Sequence, residues 1–311
     1  MLNVFLTLAA IACVGSSLHR LLLDLDIDST RRQCGTLVLN VLLPALNVQV
    51  IYGATISSTL WQVPLVMLIG LLVCVASALL VFHAFALTPK QKGSLIIGSA
   101  FGNVTYLGMP LLQGLFPEQF LLVTEIAILC EITVTSSDLI TGSLLATLYE
   151  DERKPSIKAA FSQIARFPLI LSAIVAIIIR VIGIPLPEFL LSALHLLGQC
   201  TSGLMLLILG MALTPSVLKR SLHDFRQWWP LLIIKLGLSP LVIGFAGAKI
   251  GLTHSNLHAV MIEAAMPPQL FTFIVADRFG FDVEALASAV AFMTVVSLVT
   301  VPIINRILTY S

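Results

Sequence analysis

Long apolar runs, each about the length needed to cross a bilayer, follow one another along this chain with short polar breaks between them. A spanning helix needs roughly 20 mostly apolar residues. With that ruler the pattern predicts ten spans, near 2–23, 35–52, 60–86, 94–116, 120–147, 160–183, 189–214, 229–251, 256–278 and 285–307. The first run carries no basic leader and ends at His19-Arg20 without a small-residue cleavage site, so it reads as a membrane helix, not a signal peptide. Only two connections are strongly charged: Asp24 to Arg32, and Glu150-Asp151-Glu152-Arg153-Lys154 to Lys158. The second lies at the midpoint. It divides a first five-helix repeat, 1–147, from a linker, 148–159, and a second repeat, 160–311.

Lysine and arginine set the orientation. With the N-terminus outside, the inner ends and loops collect Arg20, Arg31, Arg32, Lys90, Lys92, Arg153, Lys154, Lys158, Arg166, Lys219, Arg220, Arg226 and Arg278. The outer side keeps Arg180, Lys249 and Arg306. Both termini are therefore expected outside the cytoplasm, with the linker inside. Because five is odd, the second repeat enters the membrane the opposite way up, which is an inverted repeat. Trp61 to Pro64 opens the third span and Trp228-Trp229-Pro230 opens the eighth, its counterpart five helices on. As interfacial anchors these tryptophans have a simpler explanation too.

Composition agrees with the pattern. The chain has 311 residues, 58% hydrophobic and 11% charged, with a mean hydropathy of +1.02, whereas a soluble domain carries about 25% charged residues. The expected class is an all-α membrane protein. A net charge of +1, with no basic tail or Arg-rich stripe, gives no footing for nucleic acid. The five cysteines form no CxxC pair and the histidines show no metal spacing, so neither a disulfide nor a bound cofactor is expected.

Two spans break the rules for helices in lipid. The fourth carries Gly108-Met109-Pro110 and the ninth Met266-Pro267-Pro268. A proline inside a helix removes a donor and clashes with the carbonyl a turn earlier, and hydrocarbon offers the freed groups no water. Interrupted helices at matching places in two halves point to a transporter's substrate site. The first break is expected at Gly108 and Pro110, with Asn103 and Tyr106 one to two turns away. The second is expected at Pro267 and Pro268, flanked by Glu263 and Gln269. If the broken segments cross, half-helix N-termini converge, each favouring an anion by about 0.3 to 2 kcal/mol. A pair of ordinary kinks, satisfied by neighbouring helices, is the competing explanation.

Acids inside the spans are costly, about 2.5 to 3.5 kcal/mol for an Asp at a helix centre. Glu131 and Asp138 are seven residues apart, hence nearly on one helix face, with Thr133, Thr135, Ser136 and Ser137 between them. Together with Glu263 these oxygens suit a coupling cation, with Na⁺ at Glu263 or a proton on a carboxyl as the options. Glu125 lies near a span end and reads as interfacial. Lys235 sits about a turn and a half into the eighth span, where it could neutralise an acid or meet a carboxylate substrate, although snorkelling to the inner interface is the commoner fate of such a lysine. Asn40, Pro44 and Asn47 in the second span, and Gln199, Thr201 and Ser202 in the seventh, read more simply as helix-to-helix hydrogen bonds.

Several stretches resemble the auxin efflux carrier family. They are Glu263-Ala-Ala-Met-Pro267, Phe273 to Asp282, Thr300-Val-Pro-Ile-Ile, Gly102-Asn103 through Gly108-Met-Pro110-Leu, and Leu39-Asn-Val-Leu-Leu-Pro44-Ala-Leu. The likeness covers essentially the whole chain. It implies ten helices in two inverted repeats, with helices 1, 2, 6 and 7 as scaffold and 3–5 with 8–10 as a transport domain built around broken crossover helices 4 and 9. The family includes plant auxin exporters and bacterial permeases described for malate and malonate. The short linker is similar to that of the bacterial kind, whose place is the inner membrane. The fold is shared with bile-acid sodium symporters, whose ninth helix carries a sodium-binding Glu before the crossover, and Glu263 falls at the similar place. An acid there, where plant carriers tend to have an amide, argues for cation coupling.

The expected function is secondary transport of a small organic anion by alternating access, with Na⁺ or H⁺ coupling. Substrate contacts are expected from Asn103, Tyr106, Gly108, Pro110, Pro267, Pro268 and Gln269, and coupling-cation contacts from Glu263, Glu131, Asp138 and Thr133. The lipid bilayer is the expected surrounding, and a homodimer is compatible with the pattern. An amino acid or auxin-like acid as substrate, and a channel or sensor of the same fold, stay open as alternatives. No HExxH, paired-aspartate or Asp-rich prenyl-binding motif supports an enzyme.

Overall fold

In hydrocarbon each backbone N–H and C=O must find its partner within the segment, so apolar runs of this length become helices. The computed structural model describes residues 2–21, 26–53, 61–149, 166–212, 219, 222 and 224–310. Among these residues the regular elements are helices, with no strand and a single isolated β-bridge. Most of the expected linker, 148–159, lies outside the described residues, as does the start of the sixth expected span.

The helices are α1 (Leu2–Leu21), α2 (Ile27–Leu37), α3 (Leu43–Gly53), α4 (Gln62–His83), α5 (Pro89–Ala100), α6 (Met109–Leu115) and α7 (Phe120–Tyr149). They continue as α8 (Pro168–Ile182), α9 (Glu188–Ala212), α10 (Phe225–Leu232), α11 (Ser239–Ile250), α12 (His254–Ala264), α13 (Phe271–Arg278) and α14 (Val283–Tyr310). Among the described residues six stretches are long and apolar enough to cross a membrane: Ser29–Gly53, Gln62–His83, Pro117–Tyr149, Glu188–Met211, Phe225–Ile250 and Val283–Thr309. Leu6–Leu18 and Pro168–Ile182 are shorter apolar helices. The second expected span starts earlier than its apolar run, at Ile27, because Asp26 accepts the Ser29 N–H and supports a polar first turn.

Among the described residues three helical stretches contain a π turn, and each π turn ends two residues before a proline. Val38–Leu42 precedes Pro44, Val104–Gly108 precedes Pro110, and Ile233–Leu238 precedes Pro240. The extra residue in a π turn moves aside the carbonyl that the proline ring would strike, and it absorbs the missing donor. These prolines therefore sit in continuous helix.

The chain forms two compact units, each drawing on both halves of the sequence. Unit 1 comprises Met1–Ser58, Thr105–Ile128 and Gln163–Thr214; unit 2 comprises Thr59–Val104, Leu129–Ser162 and Pro215–Ser311. In unit 1, α1 and α9 touch backbone to backbone: a Cβ added at Gly210 would lie 2.0 Å from the Ala12 carbonyl oxygen, and one at Gly15 2.3 Å from that of Leu207. Asn47 Nδ2 of α3 donates to the Leu169 carbonyl and Ser172 Oγ of α8, both at 2.8 Å. The other face of α8 presents exposed Leu171, Ile174, Val175, Ile178 and Val181, a surface suited to lipid.

In unit 2, α4 packs on α11, where Gly70 admits the Ile243 side chain. Thr88 opens α5 with a capping box: its Oγ1 accepts the Gln91 N–H, and Gln91 Oε1 accepts the Thr88 N–H. Trp228 is buried against Phe225 and Phe292. α5 and α12 run inward from capped starts and both stop inside the unit, at Ala100 and Ala264.

Candidate substrate and ion site

Where α5 stops, Phe101 turns to extended backbone with φ −94° and ψ 112°. The Asn103 N–H donates to the Pro267 carbonyl at 2.7 Å, and the Gln269 N–H donates to the Phe101 carbonyl at 3.0 Å. These two bonds form the antiparallel bridge between Gly102 and Pro268. The breaks therefore satisfy each other's freed backbone groups away from water. The prolines help, since neither Pro267 nor Pro268 has an N–H to be satisfied.

The first break is not where the proline rule puts it. Gly108 has helical angles, φ −64° and ψ −54°, and Pro110 is the second residue of α6. The π turn at Val104–Gly108 carries helix through both, and the chain opens instead at Phe101-Gly102-Asn103. Glycine and asparagine are common turn residues, so the sequence did hold that cue. Asn103 is fully buried beside the bridge, and Gln269 is 3% exposed. Both belong to unit 2, as do Pro267 and Pro268. Tyr106, Gly108 and Pro110 belong to unit 1, where the Tyr106 hydroxyl approaches Gly35 of α2.

Lys235 corrects the snorkelling expectation. It lies in the π turn between α10 and α11, is 1% exposed, and donates from Nζ to the Ala264 carbonyl at 2.9 Å and to Ser239 Oγ at 3.4 Å. Its ammonium thus caps the C-terminal end of α12, where the helix dipole favours a cation. A Cβ on Gly102 would stand 2.9 Å from this Nζ and 3.3 Å from the Glu263 carbonyl oxygen, which explains a glycine at the crossing. Glu263, fully buried, has Lys235 and Glu131 as the charged groups in electrostatic reach. Neither carboxylate oxygen of Glu263 accepts a hydrogen bond among the described residues.

Asp138 of α7 is fully buried, and its Oδ2 accepts from Gln269 Nε2 and from Thr272 Oγ1, each at 2.9 Å. It ties the start of α13 to the middle of α7. Glu131, a little over two turns earlier, accepts from Thr135 Oγ1 at 2.5 Å. Thr133 is only partly buried and donates to its own helix, at the Leu129 carbonyl. Among the hydroxyls between the acids, Thr135 is the one on Glu131. Thr272 was missed in the sequence because a Thr in the first turn of a helix reads as local capping, and only the fold brings it to Asp138.

Residues 25–305 match the family described as membrane transport protein. The chain belongs to that family. Its relatives include an uncharacterized transporter of Methanocaldococcus jannaschii, 27% identical over 243 residues that make up 76% of this chain and 75% of the relative. The uncharacterized transporter YfdV of Escherichia coli is 23% identical over 153 residues, 49% of this chain and 48% of that one. The auxin efflux carrier component 6 of Arabidopsis thaliana is 26% identical over 118 residues, 37% of this chain and 20% of the plant protein. The protein is thus an integral membrane transporter of the auxin efflux carrier family, not an enzyme.

In this transporter the charged residues classed as buried among those described are Glu131, Asp138, Lys235 and Glu263, and all four lie in unit 2. Three carboxyls are buried with one ammonium, and Glu263 is the carboxyl in electrostatic reach of it. Burying uncompensated charge is costly, so the surplus carboxyls call for protons or a cation.

Proposed function

We propose that the transporter moves a small organic anion, a mono- or dicarboxylate such as malate or malonate, by alternating access coupled to Na⁺ or H⁺. The observation that carries this reading is the crossing of two interrupted helices at Gly102 and Pro268, with buried acids beside it. The substrate carboxylate would meet Asn103 and the N-terminal end of α13, where backbone dipoles favour negative charge. Glu263, with Glu131 and Asp138 nearby, would hold the coupling cation. Unit 2 would be the transport domain and unit 1 the scaffold, in a fold of ten spans arranged as two inverted repeats. The lysine and arginine distribution supports placing both termini outside the cytoplasm.

The test is a thermal-shift screen of malate, malonate, succinate, an amino acid panel and indole-3-acetate on the purified chain, at two pH values. A ligand that binds only the folded state raises apparent stability by RT ln(1 + [L]/Kd), about 2.7 kcal/mol at a hundredfold excess over Kd. A small carboxylate should give the largest shift and saturable uptake with counterflow in proteoliposomes. A shift from amino acids alone, or flux that never saturates, would remove the carboxylate transporter reading.

A further inference from the structure

At the crossing an acid holds an amide in one orientation. Gln269 stands next to Leu270, which opens α13, and its backbone N–H is spent on the Phe101 carbonyl at 3.0 Å. Its side chain is fixed separately: Nε2 donates to Oδ2 of Asp138 at 2.9 Å, and Thr272 Oγ1 donates to the same oxygen at 2.9 Å. A glutamine amide carries donors at one corner and an acceptor at the other, and it can turn over to suit its neighbours. A carboxylate has acceptors alone, so Asp138 takes the N–H₂ corner and leaves the Oε1 corner directed elsewhere. No donor among the described residues reaches Oε1, and Gln269 keeps 3% of its surface accessible. A nearly buried acceptor costs free energy until a donor meets it.

We infer that Asp138 is a positioning residue that turns the Gln269 carbonyl toward the substrate, and that the transporter thereby selects acids with a hydroxyl beside the carboxylate. The inference rests on the carboxylate reading of the crossing and narrows its substrate class. Gln269 adjoins the N-terminal end of α13, so a carboxylate seated at that end brings the group on its neighbouring carbon to Oε1. A hydroxyl there donates to Oε1. A bare methylene leaves the acceptor unmet, and a second carboxylate in its place repels it. A site built to bond a hydroxyl rejects the analogue that lacks it more strongly than an apolar pocket discriminates by one methylene. Thr272 holds Asp138 in turn, so the amide is set before substrate arrives.

The test pairs acids that differ by one hydroxyl, tartronate with malonate and malate with succinate, at a pH where all are ionised. In proteoliposomes the wild-type full chain should favour the hydroxy acid of each pair by about tenfold or more in kcat/KM, with malonate and succinate the poorer substrates. Asp138→Asn keeps the shape but lets the Gln269 amide turn either way, and it should bring each ratio to within about threefold of unity. Thr272→Val should lower the melting temperature and leave the ratios as in wild type, since Asp138 still takes the amide. Gln269→Leu removes the acceptor and should also lose the preference, which keeps the inference testable if Asp138→Asn does not fold. Equal handling of both pairs by the wild type would overturn the inference and leave the carboxylate reading standing. An Asp138→Asn that slows both members alike and keeps the ratio would overturn it too, because that is the mark of a purely structural role. Uptake of neither member, by a protein that moves other solutes, would overturn both readings.

Discussion

Unit 1 and unit 2 are both built from apolar helices, yet they use polar residues in opposite ways. In unit 1 the polar side chains tie helices together: Asn47 to Leu169 and Ser172, Ser202 Oγ to Gln113 Oε1 at 2.7 Å, and Arg180 Nη1 to the Ile51 carbonyl at 2.7 Å. Glu125 is partly buried with Arg180 as its charge neighbour. Close approach of backbones at Gly15 and Gly210 supplies the packing. In unit 2 the four buried charges gather near a place where two helices have been opened. Neutral hydrogen bonds in a membrane contribute modestly to helix association, about 0.6 kcal/mol on average. Buried charges are costly to place, which is why they mark function. The contrast is between a unit held by polar ties between helices and a unit that gathers buried charge.

Asp138→Ala is the strongest way to break the contrast. It leaves the Gln269 amide and the Thr272 hydroxyl without their acceptor in a buried site, at about 1 to 3 kcal/mol for each unsatisfied donor. Uptake of malonate into proteoliposomes should fall by about a hundredfold or more, with a lower melting temperature. Wild-type uptake would show that Asp138 only fastens α13.

Gly210→Val should cost less and in a different property. Its Cβ would meet the Ala12 carbonyl at 2.0 Å, and backbone cannot yield as a side-chain tip does. Overpacking of this kind costs about 1 to 3 kcal/mol. The melting temperature should drop while uptake per folded molecule stays within about twofold of wild type, a shift of under 0.5 kcal/mol. A selective loss of uptake with an unchanged melting temperature would blur the division between the units.

Much of this was legible in the sequence, and the misses share a cause. Apolar run length picked out the six membrane-length stretches among the described residues, because lipid leaves the backbone so few options. The acids Glu131, Asp138 and Glu263 stood out by their insertion cost, and Pro267-Pro268 marked the second break correctly. Pro110 misled because a π turn, invisible in composition, lets a proline ride in continuous helix. Pro44 and Pro240 ride the same way. For Lys235 the sequence left snorkelling and acid neutralisation both open, and the fold rules out snorkelling by bringing the end of α12, with its carbonyl, to the ammonium. Thr272 and Thr135 gain their partners only through packing and helix phase.

The central claim is that the transport site lies at the bridge of Gly102 and Pro268 and not at the Gly108 and Pro110 pair further along the chain. Malonate uptake by Asn103→Ala and Pro110→Ala, each normalised to folded protein in the same proteoliposomes, tests it most directly. Asn103→Ala should lose at least about tenfold, equivalent to 1.4 kcal/mol of binding or barrier. Pro110→Ala should stay within about twofold, because α6 is already continuous there. Wild-type uptake by Asn103→Ala together with loss in Pro110→Ala would contradict the account.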